Sequence, residues 1–151
     1  MSLIRVIGFS MAAALFLACT DNGISAPPAG FTHAAATRTC GPADGPAVAI
    51  YLSPNAIESL EPTTPFVRIY VAEAVNILAG RTWSLAGSGS EGGAWFNASF
   101  APSEVATRGL MTVSSVGSDN TVEGSVDLTF PSGHIHGGFH ALWRPNNIVC
   151  V

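Results

Sequence analysis

Thr121-Val122-Glu123-Gly124-Ser125-Val126-Asp127-Leu128-Thr129-Phe130, then Pro131-Ser132-Gly133, then His134-Ile135-His136-Gly137-Gly138-Phe139-His140-Ala141-Leu142-Trp143, is the stretch that decides the fold class. In the first run the even positions are apolar or glycine and the odd ones polar, which is the two-residue period of a strand with one buried face. In the second run Ile135, Phe139, Ala141 and Trp143 share one parity. A two-residue turn at Ser132-Gly133 predicts the pairs Phe130 with Ile135, Val126 with Phe139, Gly124 with Ala141 and Val122 with Trp143. Each core residue then meets a core partner, whereas a slip of one residue would expose the whole apolar set. Small residues at Gly124 and Ala141 leave room for an aromatic ring from a facing sheet.

Upstream the same grammar repeats. Gly117-Ser118-Asp119-Asn120 reads as a tight turn leading back to a strand over 108–116. Val48, Ile50 and Leu52 alternate with Ala47, Ala49 and Tyr51. Val67, Ile69 and Val71 alternate with Phe66, Arg68 and Tyr70, which places Arg68 and Tyr70 on an outer face. Thr82-Trp83-Ser84-Leu85 and the run 94–100 add two candidates, separated by the Gly/Ser-rich loop 87–93. Residues 55–60 are ambiguous, and 72–78 suits a helical turn or two. No stretch sustains a 3.6-residue apolar period and no fixed repeat is visible, so the expectation is an all-β domain, an antiparallel β-sandwich or small barrel of seven to eight strands.

Residues 20–46 are rich in Ala, Gly, Pro, Ser and Thr, and read as a tether ahead of a domain spanning 47–151. Twenty flexible residues between Cys19 and Cys40 have a root-mean-square span of about 25 Å. The chain has six arginines, no lysine and ten carboxylates. Scattered single arginines in an acidic chain argue against nucleic-acid binding.

The first 19 residues carry an address. A short charged start (Met1 to Arg5) precedes an apolar run from Val6 to Leu17, too short and too broken by Gly8 and Ser10 for a membrane span but suited to a cleaved signal peptide over 1–18. Leu15-Phe16-Leu17-Ala18-Cys19 resembles the lipobox of bacterial lipoproteins, with Phe16 where Leu is typical and Leu17 where a small residue is typical. The resemblance implies that Cys19 is alkylated with diacylglycerol and becomes the new N-terminus of an exported protein held to the membrane by its lipid. Thr20, and not Asp, follows Cys19, which by the same resemblance favours the outer membrane as destination. With Cys19 given to the lipid, Cys40 and Cys150 remain as a pair, and in an exported chain they read as a disulfide joining the ends of the domain. The C-terminal Gly-x-Val-x-Leu-x-Phe and Gly-x-Phe-x-Ala runs with a final Cys resemble small lipoproteins loosely, and imply no activity.

Three of the four histidines, His134, His136 and His140, fall within seven residues. Side chains two apart on a strand stand about 6.6 Å apart along it, and the register above sets Asp127 diagonal to both His136 and His140, roughly 7 to 8 Å away at the backbone. Imidazoles and a carboxylate suit Zn or Cu, so these four residues form the candidate metal set beside the simpler reading of ordinary surface histidines. No cofactor is otherwise implied. Hydrolytic motifs are missing: there is no G-x-S-x-G elbow, no H-E-x-x-H helix, and Gly87-Ser88-Gly89-Ser90 lacks a strand-to-helix setting. Trp83, Trp95 and Trp143 suit either a ligand cavity or the core, and the core is the commoner place for tryptophan. The expectation is a non-catalytic binding or structural module of the cell envelope with a protein or small-molecule ligand, the alternative being a metal-binding protein built on the histidine strand.

Overall fold

The computed structural model describes residues 30–60, 62–89, 91–99 and 102–150; Cys19 and the signal-like segment lie outside them. Nine strands follow in chain order: β1 (His33–Cys40), β2 (Pro46–Ser53), β3 (Phe66–Val71), β4 (Thr82–Ser84), β5 (Gly92–Asn97), β6 (Glu104–Val105), β7 (Arg108–Val116), β8 (Val122–Phe130) and β9 (Gly133–Trp143). They form a single sheet in the order β4-β7-β8-β9-β1-β2-β3-β5-β6, curved as a half-barrel around one core. The all-β expectation holds, but the architecture is one mixed nine-stranded sheet, not two packed antiparallel sheets of seven to eight strands. The mixed character comes from one seam, where β1 and β9 run parallel with Ala35 opposite Leu142 and Ala36 opposite Trp143.

Curvature lets one sheet bury its own inner face. The inward parity of each strand supplies Val48, Ile50, Leu52, Val67, Ile69, Val71, Met111, Val113, Val122, Val126 and Leu128, while Leu78 from the β3–β4 connection, Trp83 from β4 and Leu85 just after it fill the interior. Phe96 packs at 5.8 Å from Phe130 and 6.3 Å from Phe31, plugging one end with aromatic rings. The edges of the sheet meet on one stretch of chain. Residues 104–105 pair with β5, Ala106 N–H donates to Ala94 O, Thr107 N–H donates to Thr129 O, and from Arg108 on the segment pairs with β8. Neither long edge is left as an open template for a neighbouring chain at that point.

The hairpin that decided the fold class is present with its inner face intact, and with its pairing register shifted by two residues from the one expected. Val122 lies opposite Ala141, Gly124 opposite Phe139, Leu128 opposite Ile135 and Phe130 opposite Gly133. The turn is therefore Pro131-Ser132. Proline has the fixed φ a turn needs and no N–H to give a ladder, so it belongs in the loop and not in a pair with His134. A shift of two keeps every side chain on its face, which is why alternation alone did not detect it. The aromatic ring over Gly124 comes from Phe139 directly opposite, not from a facing sheet; a Cβ on Gly124 would lie 2.9 Å from Phe139 Cζ.

Folding starts earlier than residue 47. Residues 33–40, which composition assigned to the tether, form β1 in the interior of the sheet order, paired along its whole length with β2 from His33–Ser53 to Cys40–Pro46. Alanine and threonine carry little apolar contrast, so the period is faint in the sequence. They are nonetheless buried here: Ala35, Ala36 and Thr37 are at most 5% exposed. The C-terminal tail lies along the same strand, with Arg144 N–H donating to Ala36 O, Thr37 Oγ1 donating to Arg144 O at 2.7 Å, and Asn146 Nδ2 donating to Arg38 O. Cys40 and Cys150 are joined as a disulfide at the end of this seam, with Cα atoms 5.4 Å apart.

The remaining elements match in kind. The 72–78 segment contains a single 3-10 turn, Val75–Ile77, and the Gly117–Asn120 turn forms with Asn120 at φ +63. No helix among the described residues is long and apolar enough to cross a membrane.

Candidate functional site

An open concave feature lies on the outer face of β2, β3 and β5, and sheet register explains its composition. Tyr51 lies opposite Arg68, Arg68 opposite Trp95, and Trp95 opposite Val105, so one ladder row carries an aromatic, a guanidinium and a second aromatic across three neighbouring strands. The next row adds Phe66 opposite Asn97. Phe66 and Tyr51 meet edge to face at 6.0 Å. Pro62 and Ser103 complete an open groove of about 390 Å³. Inward neighbours of these residues, Val67, Ile69 and Ala94, are fully buried, so the strands that display the groove are anchored by the core beneath it.

Trp95 lies along the sheet and does not stand up from it. A Cβ on Gly93 would come within 2.7 Å of Trp95 Cη2 and 3.2 Å of Cζ2, which means the indole covers the bare backbone of the residue two places before it. Glycine at 93 permits a flat, half-exposed aromatic platform. Arg68 is exposed and has no ion pair with any described residue. Its charge is felt locally: burial raises the Tyr70 phenol above its ordinary range and Arg68 partly offsets that rise. Asn97 accepts a hydrogen bond from Ser103 Oγ through Oδ1, which leaves its amide nitrogen without a partner among the described residues. The side-chain nitrogens of Arg68 and Asn97 that lack a partner among the described residues are donors.

The histidine strand is divided in two. Asp127 lies opposite His136, and its Oδ1 is 2.8 Å from Nε2 of the diagonal His134, which stacks on His136 with ring centroids 5.0 Å apart. His140 is four pairs further along, opposite Glu123, with Nδ1 2.9 Å from Glu123 Oε1. The expected convergence of His136, Asp127 and His140 over Gly138 depended on a turn at Ser132-Gly133, and the turn at Pro131-Ser132 sets Asp127 opposite His136 and away from His140. Among the described residues no group of three or more His, Cys, Asp or Glu side chains is placed to hold a metal ion.

Glu123 also accepts a hydrogen bond from Ser115 Oγ at 2.8 Å. The carboxylate therefore stands between serine and histidine. Nucleophilic catalysis needs the base to touch the hydroxyl it activates, and here the serine proton is directed at a carboxylate that the histidine merely flanks. The hydrogen bonds from Ser115 and then His140 hold the Glu123 carboxyl below its ordinary range, and the backbone N–H of Thr121 does the same for Asp119. Both folded-state values are depressed. Their stabilisation is therefore present above the ordinary carboxylate pKa near 4 and is lost as pH falls through the lower folded values. Thermal melts of Glu123→Gln and Asp119→Asn should show a weaker loss of stability between about pH 4 and pH 2 than the parent; an unchanged acid limb would contradict this.

Comparison with known proteins gives no matching family model, no matching curated protein and no matching solved structure. The site defines a class by its own geometry: an all-β half-barrel that displays an aromatic-flanked cation on its outer face. Sequence reading placed Arg68 outward but missed Trp95, Asn97, Phe66 and Tyr51 as its companions. The available signal was parity, since Gly93, Trp95 and Asn97 alternate with the buried Ala94 and the core-packed Phe96. Trp83 is buried and Trp143 packs against the core, as expected for tryptophan generally.

Proposed function

We propose that this chain is an exported, lipid-anchored protein of the bacterial cell envelope, directed to the outer membrane by Thr20 after Cys19, working as a non-catalytic binding module through the groove of Tyr51, Phe66, Arg68 and Trp95. The observation that carries the binding reading is the exposed guanidinium of Arg68, without an ion-pair partner among the described residues, set between two aromatic side chains in one ladder row. Tryptophan, tyrosine and arginine are the side chains that dominate binding energy at recognition surfaces, because they offer large contact area with few rotors. The divided histidines give the metal alternative no comparable support.

Two experiments test the two halves of this reading. Cys19→Ser should move the protein from the membrane fraction to the soluble fraction, because a hydroxyl cannot carry the thioether-linked lipid; a wild-type protein that is already soluble would contradict the anchor. For the groove, a panel of short glycans, peptides and lipid headgroups is titrated into the full chain. Binding that is lost in both Arg68→Gln and Trp95→Ala supports the groove, and binding indifferent to both places the site elsewhere.

A further inference from the structure

Resting on that reading of the groove, we infer that its ligand is an acidic saccharide, a pyranose chain bearing ring carboxylates of the uronic-acid type. Three independent features of the site converge on this chemistry.

The first is the platform. Trp95 lies flat over Gly93 and is half exposed, so one ring face is presented along the sheet. An aromatic face carries negative electrostatic potential, and the C–H groups on one face of a pyranose are weakly positive, so the two stack with good area and no directional polar demand. The second is charge. Arg68 is a planar donor fork in a chain of formal net charge −4, and it has no carboxylate partner among the described residues. Its geometry suits a carboxylate, which it can bind through two parallel N–H···O bonds. The third is hydrogen-bond polarity. The unpartnered groups of Arg68 and Asn97 are donors, so the complementary ligand is rich in acceptors, as a hydroxylated and carboxylated sugar is.

Shape agrees with the chemistry. An open groove of about 390 Å³ on a sheet face admits one or two sugar rings laid lengthwise, with the chain free to continue at either end. A peptide binding by strand addition would recruit backbone groups at a sheet edge, and this groove lies on a face whose backbone is paired between β2 and β3 and between β3 and β5.

The test is calorimetric titration of the full chain, held in a sugar-free polyoxyethylene detergent, with a short oligoglucuronate, the matching neutral oligoglucoside, and inorganic phosphate. Oligoglucuronate should bind saturably and at least about tenfold more tightly than the neutral sugar, with affinity falling as salt rises. Arg68→Gln should remove most of that difference by weakening oligoglucuronate binding far more than binding of the neutral sugar. Trp95→Ala should weaken both sugars. Each position is on the outer face, and circular dichroism melts are run alongside to check that each variant stays folded. Equal affinity for the two sugars, indifference to Arg68→Gln, or phosphate competing as well as the sugar would overturn the inference, the last by reducing the site to an anion site. Absence of saturable binding by either sugar would overturn it too. If a peptide or headgroup probe then binds in a Trp95-dependent way, the groove stands and only the saccharide is wrong; if no probe binds, both fall.

Discussion

Reducing the Cys40–Cys150 bond is expected to lower the melting temperature by on the order of 10 °C or more. The two cysteines are 110 residues apart in sequence, so the cross-link removes a very large set of open conformations from the unfolded chain. The chain-entropy model gives roughly 4 to 5 kcal/mol for a loop of that size, and each kcal/mol moves the melting point of a domain this large by about 3 to 6 °C. Position adds to the effect. The bond clamps the parallel seam between β1 and the tail of β9, where only two residue pairs form the ladder and the rest depends on Arg144, Thr37 and Asn146. Melts with and without reductant, and of Cys40→Ser with Cys150→Ser, measure it. A shift under about 3 °C would mean that the seam holds without the bond.

Gly124→Ala is expected to destabilise by about 2 to 4 kcal/mol although it adds one methyl group. The new Cβ would overlap the backbone oxygen of Thr112, approach Phe139 Cζ to 2.9 Å and lie 3.1 Å from Val113 Cα. Two of these three neighbours are backbone atoms of β7, next to the register shift between Val113 and Ser115, so relief requires moving a strand and not a rotamer. Gly133→Ala provides the control, because nothing lies within 4 Å of the position its Cβ would take. It should stay within about 0.5 kcal/mol of the parent. Equal effects at the two glycines in urea unfolding would show that Gly124 is not where Phe139 and β7 close on the backbone.

What the sequence made legible follows from which signals are local. Strong alternation over 48–52, 67–71 and 122–130 marked strands with their buried faces, because a two-residue period needs no knowledge of the partner, and the turn at Gly117–Asn120 marked the strand before it. Turn placement was legible to within two residues, since Pro131 and Gly133 both punctuate and parity does not choose between them. Weakly apolar strands were not legible. Residues 33–40 read as tether because alanine gives little contrast between faces, and their burial is decided by β2 and the C-terminal tail, more than a hundred residues away in the latter case. Sheet curvature is likewise a global property: the meeting of both edges on residues 104–116 depends on β5 and β8 together.

The candidate site shows the same limit. Arg68 was visibly outward, but its row requires β2, β3 and β5 to be neighbours, and no pattern within one strand reports that Tyr51, Arg68 and Trp95 line up. The histidine cluster misled for the complementary reason. Closeness in sequence suggested one site, and a two-residue change in register distributed it over two carboxylates, Asp127 and Glu123.

Three tryptophans give the most direct test of the groove as a binding surface. Trp83 is buried in the core, Trp143 packs against it, and Trp95 lies on the outer face over Gly93. Their indole N–H signals can be followed by heteronuclear NMR while oligoglucuronate is added to the full chain. The account predicts that the Trp95 indole shifts saturably while those of Trp83 and Trp143 stay in place. A ligand-dependent shift at Trp143 or Trp83 with Trp95 unmoved would contradict it.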